Sequence, residues 1–413
     1  MAITADDVAP ATARLRSQPG DWGAWLEVGA LLSALGATDE AELAFATIGE
    51  GARVAGRVAL AVACARHLAE LGSVRGPELV DQIVDTYATG GPHFAFTAPP
   101  APDEPPHIGE PPAGEPIAQA RWVIEQLASW LTGRHPTSVP PAPLLSALSK
   151  PGARALIGVM TARAYVAGQT IVEVGAPATA LYWLAHGTVA VSRPKPEPRS
   201  PGSSGPVARL GELHSGAFFG EIALVGGTTR TANVMAAEDC WVLEIPARAV
   251  ETAAQKQPKL AEVLAFHARA RLLANLTRTS PLFKALAEPD RDELLGKFTS
   301  ELVPAGTTFI HEGQPNDSLW VVVAGWCEVK TAAGSIAEVG PGAAVGELSL
   351  IRGAPAIADV TALEHAVLLK LAKPDFDAVA TRHPKLLAEV EKLVALREEA
   401  NRAMFQDATD LIV

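Results

Sequence analysis

Residues 164–191 read AYVAGQTIVEVGAPATALYWLAHGTVAV, and residues 301–329 read ELVPAGTTFIHEGQPNDSLWVVVAGWCEV. At an offset of 138, Gly168 falls on Gly306, Gly175 on Gly313 and Gly187 on Gly325. PLLSAL at Pro143 meets PLFKAL at Pro281 at the same offset. Between the glycines stand short alternating or fully apolar runs, TIVEV, LYWLA and VAVS, the pattern of short strands joined by tight turns in a β-roll or jelly roll. Helical stretches over 258–276 and 384–404 close the two copies, and a short helix opens each. The chain from Pro143 onward therefore reads as helix, β-roll, helix, twice.

Further along, Gly220 aligns with Gly346 and Glu221 with Glu347 at an offset of 126, a twelve-residue excess in the first copy. The excess falls in RPKPEPRSPGSSGP, residues 193–206, whose composition fits an expanded surface hairpin loop.

Upstream, WLEVGALLSALG and DEAELAFATIG carry apolar residues at three- and four-residue spacing, with Gly36 and Gly49 as stops. Trp25, Gly29, Leu32, Ala41 and Phe45 fall at tetratricopeptide spacing, and small Gly29 and Ala41 would let two helices approach closely. The match covers about one repeat. A generic helical domain and a partner-docking surface are both open readings. Prolines crowd 92–116, which favours an extended spacer, because proline removes a donor and fixes φ. Residues 117–132 return to helical periodicity, with Trp122, Leu127, Trp130 and Leu131 as a stripe expected to pack on the next domain.

The net charge is -12, and most of the excess lies before Pro116. A nucleic-acid footprint needs clustered Lys and Arg, and no stretch supplies one. Cys64, Cys240 and Cys327 are too few and too far apart for a disulfide framework or zinc set, and read as buried free thiols. The first residues lack a signal-peptide pattern and no run is apolar enough for a span, so a cytoplasmic location is expected. No metal-spaced histidines and no nucleophile constellation stand out, and the chain reads as a non-enzyme without a cofactor.

The chemistry concentrates in FFGEIALVGGTTRTANV, beginning at Phe218. Gly220 frees the backbone for close approach, and the short helical stretch after it would turn N–H donors toward an anion. Arg230 can offer a phosphate a planar, bidentate fork. Glu221 would repel that phosphate unless it accepts from a hydroxyl, and a sugar hydroxyl is the natural candidate. A bland alternative pairs Glu221 with Arg230 in a ligandless roll.

A phosphate beside a ribose hydroxyl is what a 3′,5′-cyclic nucleotide presents. Here the sequence resembles the phosphate-binding cassette of the cyclic-nucleotide-binding domain family: FGE, an apolar run, arginine, a small residue, alanine. Phe219, Gly220, Glu221, Ala223, Leu224, Arg230, Thr231 and Ala232 match. The resemblance implies that Glu221 holds the ribose 2′-hydroxyl and Arg230 the cyclic phosphate. Gly220, Ile222, Ala223 and Ala232 would supply backbone contacts, and Thr231 would bear on base selectivity, leaving cAMP and cGMP both open with cAMP the commoner ligand. Thr229 departs from the proline frequent before the arginine. Phe266, His267 and Arg269 are the family-style candidates to cover the base.

The second copy reads AVGELSLIRGAPAIADV and keeps Gly346, Glu347 and Leu348 but places Ala356 at the arginine position. Losing one partner of a buried charge pair costs about 2–5 kcal/mol, roughly 30-fold to several-thousand-fold in affinity. A degenerate site is expected, with Arg352 the one nearby rescue candidate.

The expected architecture is thus α+β and multidomain: a tetratricopeptide-like helical domain (1–91), a proline-rich linker (92–116), a connecting helix (117–142), cyclic-nucleotide-binding domain A (143–276) and a degenerate domain B with a C-terminal helix (277–413). No helix-turn-helix follows the second roll, which disfavours a DNA-binding regulator. The expected function is cyclic-nucleotide sensing passed to a protein partner through the N-terminal helices or domain B, with oligomers allowed. The competing reading is a scaffold with vestigial rolls.

Overall fold

The computed structural model describes residues 3–91, 104–133, 142–194, 207–284, 286–332 and 334–410. Five helices come first: α1 (Val8–Ser17), α2 (Trp22–Ala34), α3 (Thr38–Val54), α4 (Val58–Glu70) and α5 (Arg75–Tyr87). Asp21 caps α2 by accepting from the Gly23 N–H, and Gly36, at φ 73°, lets the chain leave it. Gly29 does permit close approach: a Cβ there would stand 3.1 Å from Phe45 Cζ on α3. Gly49 is not a stop. It lies inside α3, where a Cβ would meet Leu79 Cδ2 of α5 at 2.4 Å, so its smallness serves packing.

Helix α6 (Pro116–Thr132) starts as its N-terminal proline suggests. Its buried stripe packs back on α1 and α3 rather than forward on the next domain. The described part of the proline-rich tract is fastened as well, since Arg16 reaches Glu110 at 2.5 Å and Gln119 donates to the Pro112 carbonyl.

The first roll follows α7 (Pro143–Ser146) and α8 (Lys150–Gly158). Its strands are β1 (Thr161–Tyr165), β2 (Thr170–Val172), β3 (Ala180–His186), β4 (Thr188–Pro194), β5 (Val207–His214) and β6 (Phe218–Phe219). After helix α9 (Glu221–Gly226) come β7 (Asn233–Ala236) and β8 (Cys240–Pro246). Helices α10 (Ala247–Lys256) and α11 (Pro258–Thr279) close it.

The second roll repeats the plan after α12 (Pro281–Lys284) and α13 (Glu288–Lys297). Its strands are β9 (Thr299–Val303), β10 (Thr308–Ile310), β11 (Ser318–Ala324), β12 (Cys327–Thr331), β13 (Gly334–Val339) and β14 (Ala344–Val345). Helix α14 (Glu347–Arg352) precedes β15 (Asp359–Ala362) and β16 (Ala366–Ala372). Helices α15 (Lys373–Arg382) and α16 (Pro384–Asp410) finish the chain.

Sheet orders β1-β8-β3-β6 and β2-β7-β4-β5 in the first roll become β9-β16-β11-β14 and β10-β15-β12-β13 in the second, all pairs antiparallel. The internal repeat is therefore a repeat of topology. The excess tract joins β4 to β5 with Pro194 opposite Val207, a hairpin connection whose residues 195–206 lie outside the described ones.

The helices and the first roll share one core. On α4 every residue from 58 to 65 is buried, because α3 and α5 cover one side and β1, β3 and β8 the other. Phe45, His67 and Trp241 meet there, with ring centroids 4.2 Å (Phe45–His67) and 5.8 Å (His67–Trp241) apart. All three cysteines are buried free thiols, and burial, aided by Glu364, pushes Cys327 up to about 12.

Candidate functional site

Gly220 follows β6 and caps the start of α9 at φ 89°, a left-handed conformation that a side chain would strain. A second left-handed glycine, Gly227 at φ 60°, ends α9. The chain then runs through Thr228 and Thr229 to Arg230, whose N–H donates to Ala176 O while its own carbonyl accepts from Gly175 N–H. The glycine turn recognised in the repeat thus anchors the arginine's backbone.

These turns surround a cavity of about 250 Å³. Gly220, Glu221, Ile222, Ala223, Arg230, Thr231 and Ala232 all line it, so the cassette residues read from the sequence meet at one place. Val172, Val191 and Leu213 form its apolar wall, and Arg271, Ala274 and Asn275 of α11 complete it.

Glu221 is 1% exposed and Arg230 3% exposed. They are not paired with one another. Arg271 Nη1 donates to both Glu221 oxygens, at 2.9 and 3.0 Å. Burial raises the Glu221 pKa, and the Arg271 charge opposes that rise. Arg230 instead donates Nη1 to Gly220 O at 3.1 Å and Nη2 to Ala180 O at 2.6 Å, with its guanidinium 5.3 Å from the Tyr182 ring centroid. Burial lowers its pKa, and Tyr182 and Glu221 oppose that lowering. A guanidinium has five N–H donors, so the two carbonyls fix its plane without exhausting it.

This geometry separates two kinds of partner within one cavity. Arg230 is a cation held by two carbonyls at the cavity wall, and Glu221, balanced by Arg271, is an acceptor there. Gly220 lies between them: a Cβ there would stand 2.6 Å from Arg230 Nη1.

The expected cover residues are placed otherwise. Phe266 is 70% exposed, neither packed on the roll nor lining the cavity. His267 stacks edge-on against Phe218 at 4.8 Å, and the Arg269 side chain lies outside the described ones. Arg271 is the α11 residue that sequence reasoning missed. Its signal was present in the repeat, because Arg397 stands 126 residues later and bonds Glu347 Oε1 at 2.6 Å.

In the second roll the backbone scaffold is retained: Gly313 N–H donates to Ala356 O, and Ala356 N–H to Gln314 O. Gly346 is left-handed at φ 84° and Glu347 is 1% exposed, with Leu348 following on α14. Ala356 is buried and brings no charge. Arg352 does not replace the missing cation, since it turns outward to Glu398 at 3.1 Å. Asn316 takes up the freed acceptors, its Nδ2 donating to Ser318 O at 2.8 Å and Gly346 O at 3.2 Å. Among the described residues Glu347 Oε2 has no hydrogen-bond partner.

Comparison with known proteins agrees with the doubled roll. The family model described as the cyclic nucleotide-binding domain matches twice, at residues 162–257 and 301–383. A cyclic nucleotide-gated potassium channel of Mesorhizobium japonicum is 34% identical over 128 residues, 31% of this chain and 35% of that protein. A cAMP-dependent protein kinase regulatory subunit of Candida albicans is 25% identical over 173 residues, 41% of this chain and 35% of that one. The chain thus spans about a third of the length of these relatives. The solved structure "cAMP bound PfPKA-R (141-441)" is 17% identical, covering 63% of this chain and 85% of its own, at a TM-score of 0.30. The chain carries, behind an N-terminal helical region, two tandem regions matching the cyclic nucleotide-binding domain family.

Proposed function

We propose that the chain is a cyclic-nucleotide-responsive regulatory protein whose first roll takes a 3′,5′-cyclic nucleotide, cAMP ahead of cGMP. The observation that carries this reading is the convergence of Arg230, Glu221, Gly220 and Thr231 on one cavity, with cation and acceptor held apart by separate partners. In this reading Arg230 faces the cyclic phosphate and Glu221 accepts from the ribose 2′-hydroxyl. Gly220, Ile222, Ala223 and Ala232 border the phosphate with main chain, and Thr231 faces the base.

A hydroxyl arriving at Glu221 shares its carboxylate with Arg271. Occupancy is thereby registered on α11, which packs on α9, α12 and β11. A ligand with different affinities for two placements of α11 shifts their populations. A protein partner would read the shift on the second roll or on the outer faces of the N-terminal helices, the inner face of α4 being covered.

Calorimetry with cAMP and with cGMP on the wild type and on Arg230→Ala tests the reading. Binding by the wild type and its loss on Arg230→Ala is the expected outcome. Absence of binding by the wild type would favour the scaffold reading, in which the rolls serve only as packing modules.

A further inference from the structure

Thr229 breaks the proline habit of the cassette, and the second roll shows the contrast, since Pro355 stands 126 residues later. The hydroxyl gained at Thr229 is used: Oγ1 donates to Glu364 Oε2. Glu364 belongs to the second roll, in the turn between β15 and β16, while Thr229 immediately precedes Arg230. The contact is seated in a wider one. A Cβ on Gly226 would lie 3.5 Å from Val367 Cγ2 of β16, and α9 packs against β11.

The same loop is held from within its own roll by Thr228 N–H to Ala223 O and Arg230 N–H to Ala176 O. Residues 226–229 are therefore clasped between α9 and the neighbouring roll. The carboxylate is the part of that clasp with a strong, directional, charge-assisted bond.

We propose that Glu364 is a latch through which the second roll sets the position of the Arg230 loop, so that this roll, with Ala356 at the cassette arginine's position, tunes the anion site of its neighbour. The proposal rests on the first roll being the nucleotide site. A held loop presents Arg230 with less ordering left to lose, so the latch favours binding.

A double-mutant cycle tests it in the full chain, with cAMP as the probe. Thr229→Val and Glu364→Ala are each expected to weaken binding by about 3- to 10-fold, and the double variant by no more than either alone. Glu364→Gln, which keeps an acceptor, should stay within about twofold of wild type. Wild-type affinity in both single variants, or effects that multiply, would overturn the latch.

Hydrogen exchange without nucleotide judges the contact separately. Either single variant should speed exchange in both 226–231 and 363–366, whereas acceleration confined to the mutated side, or none, contradicts the latch. If the wild type binds neither nucleotide yet exchange is coupled, the site reading fails and the clasp between rolls stands.

Discussion

Asn316 does for Ser318 O and Gly346 O what Arg230 does for Ala180 O and Gly220 O, the corresponding carbonyls of the other roll. The amide satisfies the acceptors but supplies no charge. Restoring an anion site therefore requires two changes. Asn316→Ala with Ala356→Arg, made on Arg230→Ala, should return cAMP binding to the second roll, while Ala356→Arg alone should gain less because Asn316 still occupies both carbonyls. Titration calorimetry reads both, and equal gains would contradict the exchange of roles.

In the first roll, Arg230→Lys keeps the charge but loses the fork that spans two carbonyls and an anion. A loss of about 30-fold or more in nucleotide affinity is expected for Arg230→Ala, at the low end of the 2–5 kcal/mol for an unpaired buried partner. The lysine variant should fall nearer to alanine than to wild type. Near-wild-type binding by lysine would mean that the fork geometry is dispensable.

Gly220→Ala combines strain at φ 89° with a Cβ 2.6 Å from Arg230 Nη1. The change should cost about 1–3 kcal/mol of stability and weaken binding as well. Unfolding midpoints and calorimetry on the same sample separate the two effects. A variant that loses stability alone would show that Arg230 can move aside freely.

Gly49→Val tests the helical layer. Its Cβ would sit 2.4 Å from Leu79 Cδ2 and 3.1 Å from Cys64 Cβ, so overpacking should cost about 1–3 kcal/mol. Because α4 joins the helices to the first roll, denaturant unfolding followed by tryptophan fluorescence should shift together with the far-ultraviolet signal. Separate transitions would argue that the two units melt independently.

A pH effect follows from His67 and His186. Burial holds both imidazoles below the usual histidine range, against Glu70 for His67 and chiefly Asp21 and Glu238 for His186; Arg57 and Arg14 reinforce the lowering at His186. The folded pKa lies below the unfolded value of about 6.5, so the unfolded chain takes up protons first as pH falls. The stability held above about pH 6.5 is then lost as pH drops toward the folded pKa values. Thermal midpoints should fall between pH 7.5 and 5.5, and His67→Gln with His186→Gln should flatten the slope. A midpoint that rises over this interval would refute the assignment.

The fold was legible where the backbone itself constrained the sequence. Gly168, Gly175 and Gly187 and their partners Gly306, Gly313 and Gly325 all take positive φ, so the repeat could be aligned on them before any strand was drawn. The cassette was legible for the same reason, its residues lying close together along the chain. Arg271 and Asn316 were not, because a long side chain on a remote helix and an amide in a turn acquire roles only when tertiary packing brings an acceptor to them. Gly49 misled because glycine marks a helix end and a crowded helix crossing equally well. The stripe on α6 gave an apolar face but no direction, so its return to α1 and α3 could not be read.

The burial of α4 on all sides changes what the proline-rich tract can be. A spacer between movable parts would let the amino-terminal helices swing away, yet leaving would bare Trp241 and the sheet face beneath α4. The described part of the tract, 104–116, does not float free of them: Glu110 is tied to Arg16 of α1, and the Pro112 carbonyl to Gln119 of α6. A truncated chain beginning after it would inherit a roll with one wall missing, and the minimal autonomous piece of this molecule should include the helices that precede the proline-rich tract.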